Sequence, residues 1–192
     1  MNIALLAKKG GVGKSTLSIL LYEALRAAGK SVVIRDWDAQ GTSSKSLELL
    51  GGADSLPLGI VPEAASPEVL LYDTPPNLEH TATATAVRDA DIALVVTTPS
   101  PADVWEAEEA VNLVTARNPD AIVRVVFNKV RKSTILGRLA ETGSNGASYQ
   151  TLGVRLSARE CYQHAIAQGW KALDGSAREE VLQLGLAVLS LR

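Results

Sequence analysis

Lys9-Gly10-Gly11-Val12-Gly13-Lys14-Ser15-Thr16 is the stretch of this chain whose residue types most directly suggest chemistry. Its glycines let backbone N–H groups turn inward around phosphate oxygens, and a helix starting just after them adds the positive end of its dipole. Lys14 can then reach the β and γ phosphates of a bound triphosphate, while the Ser15 hydroxyl can ligate Mg²⁺. ATP and Mg²⁺ are the expected cofactors, with Lys9, Gly10, Gly11, Val12, Gly13, Lys14, Ser15 and Thr16 as the binding loop. Two acidic segments follow, Asp36-Trp37-Asp38-Ala39-Gln40-Gly41 and Asp73-Thr74-Pro75-Pro76, each after an apolar run. Taken alone, each is either a turn whose aspartates satisfy its own backbone or the acidic side of a phosphate site, and the neighbouring loop favours the second.

Placing these groups together requires a particular order of elements. Short runs rich in Val, Ile and Leu recur at Asn2–Ala7, Ser31–Arg35, Val69–Tyr72, Ile92–Thr97 and Ala121–Phe127, the pattern of strands buried on both faces. Helical spacing runs over Ser15–Ala28, which stops at Gly29, and over Ala102–Arg117; two more helices are expected at Ala158–Gln168 and Ser176–Ser190. The alternation predicts an α/β fold, a mostly parallel twisted sheet with helices on both faces, in one domain over 1–192; with the glycine loop at its first strand-to-helix junction, the expected form is a P-loop NTPase fold.

Composition bounds the function. The chain has 192 residues, 46% of them hydrophobic, and a formal net charge of −2, so bulk charge does not coat nucleic acid and any contact with it must be regional. Cys161 is alone, which excludes an internal disulfide and a cysteine zinc site. The apolar run before the loop carries no charged leader and no long apolar stretch, so neither secretion nor membrane spanning is expected. His80 and His164 lack ligand spacing; Trp37 is expected near the nucleotide, and Trp105, Trp170 and Cys161 in packing.

The loop Lys-Gly-Gly-Val-Gly-Lys-Ser-Thr resembles the deviant Walker A motif of the ParA/MinD family of dimeric ATPases, in the CobQ/CobB/MinD/ParA group, with Lys9 as its distinguishing residue. The first acidic segment resembles the family's switch I, with Ala39 where proline is usual, and Leu70 to Pro76 resembles its Walker B strand and switch II. Val96 to Asp103 is similar to the small plasmid-partition ATPases. The resemblance implies that Lys9 reaches across a homodimer to the partner's nucleotide and that Lys9, Lys14 and Asp38 are catalytic, Asp38 positioning the attacking water. It implies that Asp36 and Asp73 bind Mg²⁺ through water beside Ser15. Phe127-Asn128-Lys129 resembles the adenine-side segment; Asn128 either contacts the base or caps its turn.

The same resemblance implies a weak ATPase stimulated by a ParB-like centromere-binding protein, acting on nonspecific DNA in the cytoplasm at the nucleoid for plasmid or chromosome segregation. The chain also resembles the short form of these ATPases, without the extra N-terminal region used for operator binding. Lys129, Arg131, Lys132 and Arg138, followed by Arg155 and Arg159, are either a DNA-contacting patch or a solvated face. A membrane-surface or protein-cargo positioning ATPase of the MinD kind is the alternative, although the last helix offers only Arg178 and Arg192 as cations and membrane binding is not favoured. An iron–sulfur reductase on this scaffold would need two cysteines, and a small-molecule ligase or kinase would need an acceptor site that no motif marks.

Overall fold

The protein is described from a computed structural model covering residues 1–51, 55–56, 66–141 and 148–191. Seven strands form one sheet: β1 (Asn2–Leu6), β2 (Val32–Asp36), β3 (Ser55–Leu56), β4 (Val69–Asp73), β5 (Ile92–Thr97), β6 (Ile122–Val130) and β7 (Thr151–Ser157). Their order is β3-β2-β4-β1-β5-β6-β7, and every adjacent pair is parallel. Seven helices connect and cover them: α1 (Lys14–Ala27), α2 (Thr42–Leu49), α3 (Thr81–Asp89), α4 (Pro101–Arg117), α5 (Ile135–Glu141), α6 (Cys161–Gln168) and α7 (Gly175–Leu189). A short 3-10 turn over Gly169–Ala172 joins the last two.

The central strands are apolar in both directions because helices cover both sides of the sheet. Along β1, Ile3 and Leu5 pack with Leu17, Leu20 and Leu21 of α1 and with Val181, Leu184 and Val188 of α7. Ala4 and Leu6, one pleat over, pack with Ala86 and Val87 of α3 and Val114 of α4. All six residues of β5 are buried. Among the described residues no helix is long and apolar enough to cross a membrane.

The expected strands and helices all form, with shifted ends. α1 stops where Gly29 takes a left-handed φ of 80°; Gly29 N–H donates to Arg26 O at 2.9 Å and Lys30 N–H to Leu25 O at 3.0 Å, which satisfies the last carbonyls. The strand expected to end at Phe127 continues to Val130, and the helix expected from Ala158 begins at Cys161, so Arg159 lies in the connection before it. α2, α3 and α5 carry no apolar stripe strong enough to announce them. The Thr-Ala alternation of α3 reads at a period of two, yet its buried Thr83, Ala86 and Val87 fall on one helical face. His80 caps that helix, its Nδ1 accepting from Ala82 N–H at 3.2 Å.

Three expectations for single side chains need correction: an inward Trp105, a fully buried Cys161 and a Trp37 at the nucleotide loop. Trp105 is 67% exposed because the buried stripe of α4 runs through Ala107, Ala110, Val111 and Val114 and leaves it outside. Cys161 is only half-buried against the core. Trp37 packs against Tyr72, ring centroids 4.9 Å apart, in the cluster containing α3 rather than at the nucleotide loop. Trp170 does pack, against the larger core and beside Arg178.

α1 and α7 meet closely at Gly185, where an added Cβ would stand 2.9 Å from the Ala24 Cβ. Gly185→Leu is therefore expected to destabilise the fold by about 2–3 kcal/mol through overpacking of the helix that carries the loop. Urea unfolding reads this as a lower midpoint, and a midpoint equal to that of the wild type would contradict the close approach.

Candidate nucleotide site

A parallel sheet with helical crossovers brings the C-terminal ends of its strands, and the turns that follow them, to one edge. There β1 leads into the glycine loop, β2 ends at Asp36, β4 ends at Asp73, and β6 passes through Asn128. The register sets Leu5 beside Asp73 and Asp73 beside Asp36, so both aspartates lie on one side of the strand that delivers the loop, Asp73 next to it and Asp36 one strand further out.

Inside the loop, Gly11 and Gly13 hold φ of 85° and 91°, values that a side chain strongly disfavours. At Gly13 a Cβ would also lie 2.3 Å from the Asn128 Nδ2. Lys14 opens α1, whose N-terminus has no acidic residue in its first turn and no side-chain cap, so the helix dipole stays available to an anion.

The Lys14 side chain is buried, and its Nζ lies 3.1 Å from Oδ1 of Asp73, which is fully buried. Asp73 Oδ2 accepts from the Ser43 hydroxyl at 2.5 Å. Asp36 accepts from Asp38 N–H at 3.1 Å and from Ser44 N–H at 2.9 Å, which ties β2 to the first turn of α2. Burial pushes the Asp36 carboxyl above its ordinary range, and the neighbouring Asp73 charge adds to that; the two backbone N–H groups pull the other way. Asp38 accepts from Gln40 N–H at 3.0 Å and lines the loop cavity.

Two adjoining cavities share this edge. One of about 400 Å³ is lined by Lys9 to Thr16 together with Asp38, Gln40 and Pro76. The other, about 660 Å³, is lined by Thr98, Ser100, Asn128, Arg131, Ser157, Arg159 and Tyr162 among others, and Thr16, Lys129 and Gln163 belong to both walls. The first has the cations and backbone donors that a triphosphate needs. The second has the size and mixed lining for a nucleoside. The oxygen groups of Ser15, Asp36 and Asp73 suit a hard divalent cation held partly through water and phosphate, so this donor set fits Mg²⁺.

Lys9 sits at the lip of the phosphate cavity. Its side chain is 53% exposed, and its Nζ lies 3.2 Å from Oδ1 of Asp103, whose other oxygen accepts from the Thr98 hydroxyl at 2.5 Å. Asn128 is buried, and both ends of its amide are engaged: Nδ2 donates to Val12 O at 2.9 Å and Oδ1 accepts from Lys129 N–H at 2.9 Å.

The six basic residues grouped in the sequence do not form one surface. Lys129, Arg131 and Arg159 line the base-side cavity. Lys132 and Arg138 are exposed, the Arg138 Nη1 donating to Ser133 O at 3.2 Å, and Arg155 is half-buried in β7.

The base-side wall depends on a residue with no motif to mark it. Glu180, on α7, accepts from Ser157 N–H at 3.0 Å, Ser157 Oγ at 2.8 Å, Arg159 Nη2 at 2.8 Å and Tyr162 Oη at 2.7 Å. Burial alone would raise its pKa, but the Arg159 guanidinium and these hydrogen bonds outweigh that and bring it down to about 2. Burial and the Glu180 bond raise the Tyr162 phenol in turn. Its place on distant α7 hides it from sequence reading, since nothing in local spacing connects position 180 with 157.

The model of the CobQ/CobB/MinD/ParA nucleotide-binding domain matches residues 3–169. The chain belongs to this family. It is 24% identical over 193 residues to the maintenance of carboxysome distribution protein A of Halothiobacillus neapolitanus, covering 92% of this chain and 88% of that protein. A protein of the same name from Gloeobacter kilaueensis is 32% identical over 119 residues, 57% of this chain and 55% of that protein. The septum site-determining protein MinD of Pyrococcus horikoshii, solved with Mg-ADP, superposes with a TM-score of 0.77 at 16% identity, covering 98% of this chain and 96% of that one. For this family member, the loop, the buried lysine and the two cavities form the candidate nucleotide site.

The Glu180 network has a measurable pH signature. A carboxylate held from an ordinary 4.5 down to about 2 adds stability that is full above pH 4.5 and is lost as pH falls toward 2. Glu180→Gln should therefore lower unfolding stability by on the order of 2 kcal/mol at pH 7, the gap to wild type closing as pH falls through that window. A gap that stayed constant down to pH 3 would assign the loss to packing instead of charge.

Proposed function

We propose that this chain is an ATP-hydrolysing positioning protein that dimerises around MgATP and is reset by a partner that stimulates hydrolysis. The observation that carries the reading is the division of labour between two lysines: Lys14 is buried against Asp73, whereas Lys9 stands at the cavity lip, about half exposed and held by Asp103 at 3.2 Å. A cation in the second position is placed to meet phosphate presented by another copy of the chain, and one more positive charge facing a tetra-anion strengthens both binding and the transition state. In this reading Lys14 neutralises the terminal phosphates, Ser15 would hold Mg²⁺ with Asp36 and Asp73 holding it through water, Asp38 orients the attacking water, and Asn128 stands on the base side with its amide engaged by Val12 and Lys129. Mg²⁺, when bound, supplies charge neutralisation across the phosphates.

The cargo in the first reading is DNA, carried through a ParB-like centromere-binding partner while the ATP-bound dimer rests on nonspecific DNA. Arg131, Lys132 and Arg138 are the exposed cations this assigns to DNA phosphate, Arg131 being exposed while also lining the base-side cavity. A second reading, a protein body as cargo, is supported by the two relatives named for carboxysome distribution. Both readings share the same ATP cycle.

Retention on nonspecific duplex DNA, measured with ATP, ADP and no nucleotide across a salt series, tests the proposal, with Asp38→Ala used to hold the ATP state. Expected is retention with ATP alone, steeply weakened by salt and removed by the double substitution Lys132→Ala and Arg138→Ala, neither of which lines either cavity. Lys14→Ala should abolish nucleotide binding, and Lys9→Ala should keep it while losing the ATP-dependent dimer in sedimentation. Absence of DNA binding in every state would sink the DNA-surface reading, and normal turnover by Asp38→Ala would sink its water-positioning role.

A further inference from the structure

Lys129 has a left-handed φ of 56°, and it is the one non-glycine among the described residues with positive φ. An unbranched L-residue held there costs about 1 kcal/mol, and such strain persists where surrounding contacts require it. The contacts are on the page. The shift in the β6 register between Phe127 and Val130 surrounds this residue, its N–H is held by Asn128 Oδ1 at 2.9 Å, and its Nζ donates to Gly11 O at 2.6 Å. Its side chain lines both the phosphate-side and the base-side cavity.

The hydrogen bond to Gly11 complements the neighbouring one. Asn128 Nδ2 holds the carbonyl of Val12, and Lys129 Nζ holds the carbonyl of Gly11, so two consecutive peptide units of the loop are gripped from β6. In a planar trans peptide the C=O and the following N–H point in opposite directions. Fixing the carbonyls of Gly11 and Val12 therefore turns the N–H groups of Val12 and Gly13 away from Asn128 and Lys129, as paired donors of the sort phosphate oxygens accept. The strained backbone is what aims the lysine back across the loop: in an extended continuation of β6 its side chain would follow the strand's alternation instead.

We infer that Lys129 is a positioning residue of the nucleotide site, its amine keeping the Gly11 peptide oriented for a nucleoside triphosphate, and that it does not belong with the DNA-contacting cations. This rests on the nucleotide reading proposed above. A lysine so engaged also leaves the exposed basic surface with Arg131, Lys132 and Arg138 as its members in this stretch.

The test uses the full chain with Mg²⁺ and two probes, ATP and inorganic tripolyphosphate, the second of which reports on the phosphate loop without the base. Lys129→Met, which keeps the aliphatic length but has no amine, should weaken both probes by about tenfold, as expected for loss of a charge-assisted hydrogen bond. DNA retention at saturating ATP should stay within about twofold of wild type, because a single exposed phosphate contact contributes little once the ATP state is filled. Lys129→Gly relieves the backbone strain while removing the same amine, so it folds at least as well and should show the same loss; Lys129→Arg should restore most of the affinity. Wild-type affinity for both probes in the Met and Gly variants would overturn the inference, as would loss of DNA retention with nucleotide binding intact. A wild-type chain that bound neither probe, indistinguishable from Lys14→Ala, would overturn the nucleotide site itself and the Lys129 assignment with it.

Discussion

A lysine ammonium is costly to bury without a matching anion, and Lys14 meets that constraint with a carboxylate that is itself fully buried, 3.1 Å away on Asp73. The pairing fixes the start of α1 relative to the end of β4 and, through the hydroxyl of Ser43 on Asp73, the start of α2 as well. Trp37 N–H donates to Asp73 O at 2.8 Å, so even the backbone of that aspartate fastens the segment between β2 and α2. Much of the site is therefore organised around one ion pair, and the groups assigned to the metal and the water are placed by the same few bonds.

The pair also explains why an apolar core and a charged site can lie side by side. Leu17, Leu20 and Leu21 of α1 are buried among residues of β1 and α7, one turn past the buried ammonium. Two carboxylates facing each other across β2 and β4 would repel; the lysine, the backbone donors on Asp36 and the hydroxyl on Asp73 offset that repulsion within the fold. Such a site has a large stored attraction for cationic charge and for the phosphates that Lys14 can meet.

The sequence made the sheet and the loop readable because both have strong local signatures. Runs such as Ile92–Thr97, buried along their whole length, admit few alternatives, and the glycine loop has a meaning only between a strand and a helix. What it did not make readable is nonlocal. α2 and α3 are polar or threonine-rich and become helices because tertiary packing and caps decide them, with His80 capping α3 and Asp36 bonding the first turn of α2. The base-side wall is organised from Glu180, and the cluster of basic residues that looks continuous between 129 and 138 divides between a cavity wall and an exposed surface because Lys129 turns back toward the loop.

The outer strand β7 pairs with β6 through two register shifts and carries Gly153 at φ 80°, while the opposite edge of the described sheet is the two-residue β3. Long, flat, regular edges are the surfaces on which chains add to one another as extra strands, and the β7 edge does not have that form. Self-association through that end of the sheet is thereby discouraged. The ATP-dependent dimer proposed above would gain from this, since accumulation of copies by strand addition would be insensitive to the nucleotide and difficult to reverse.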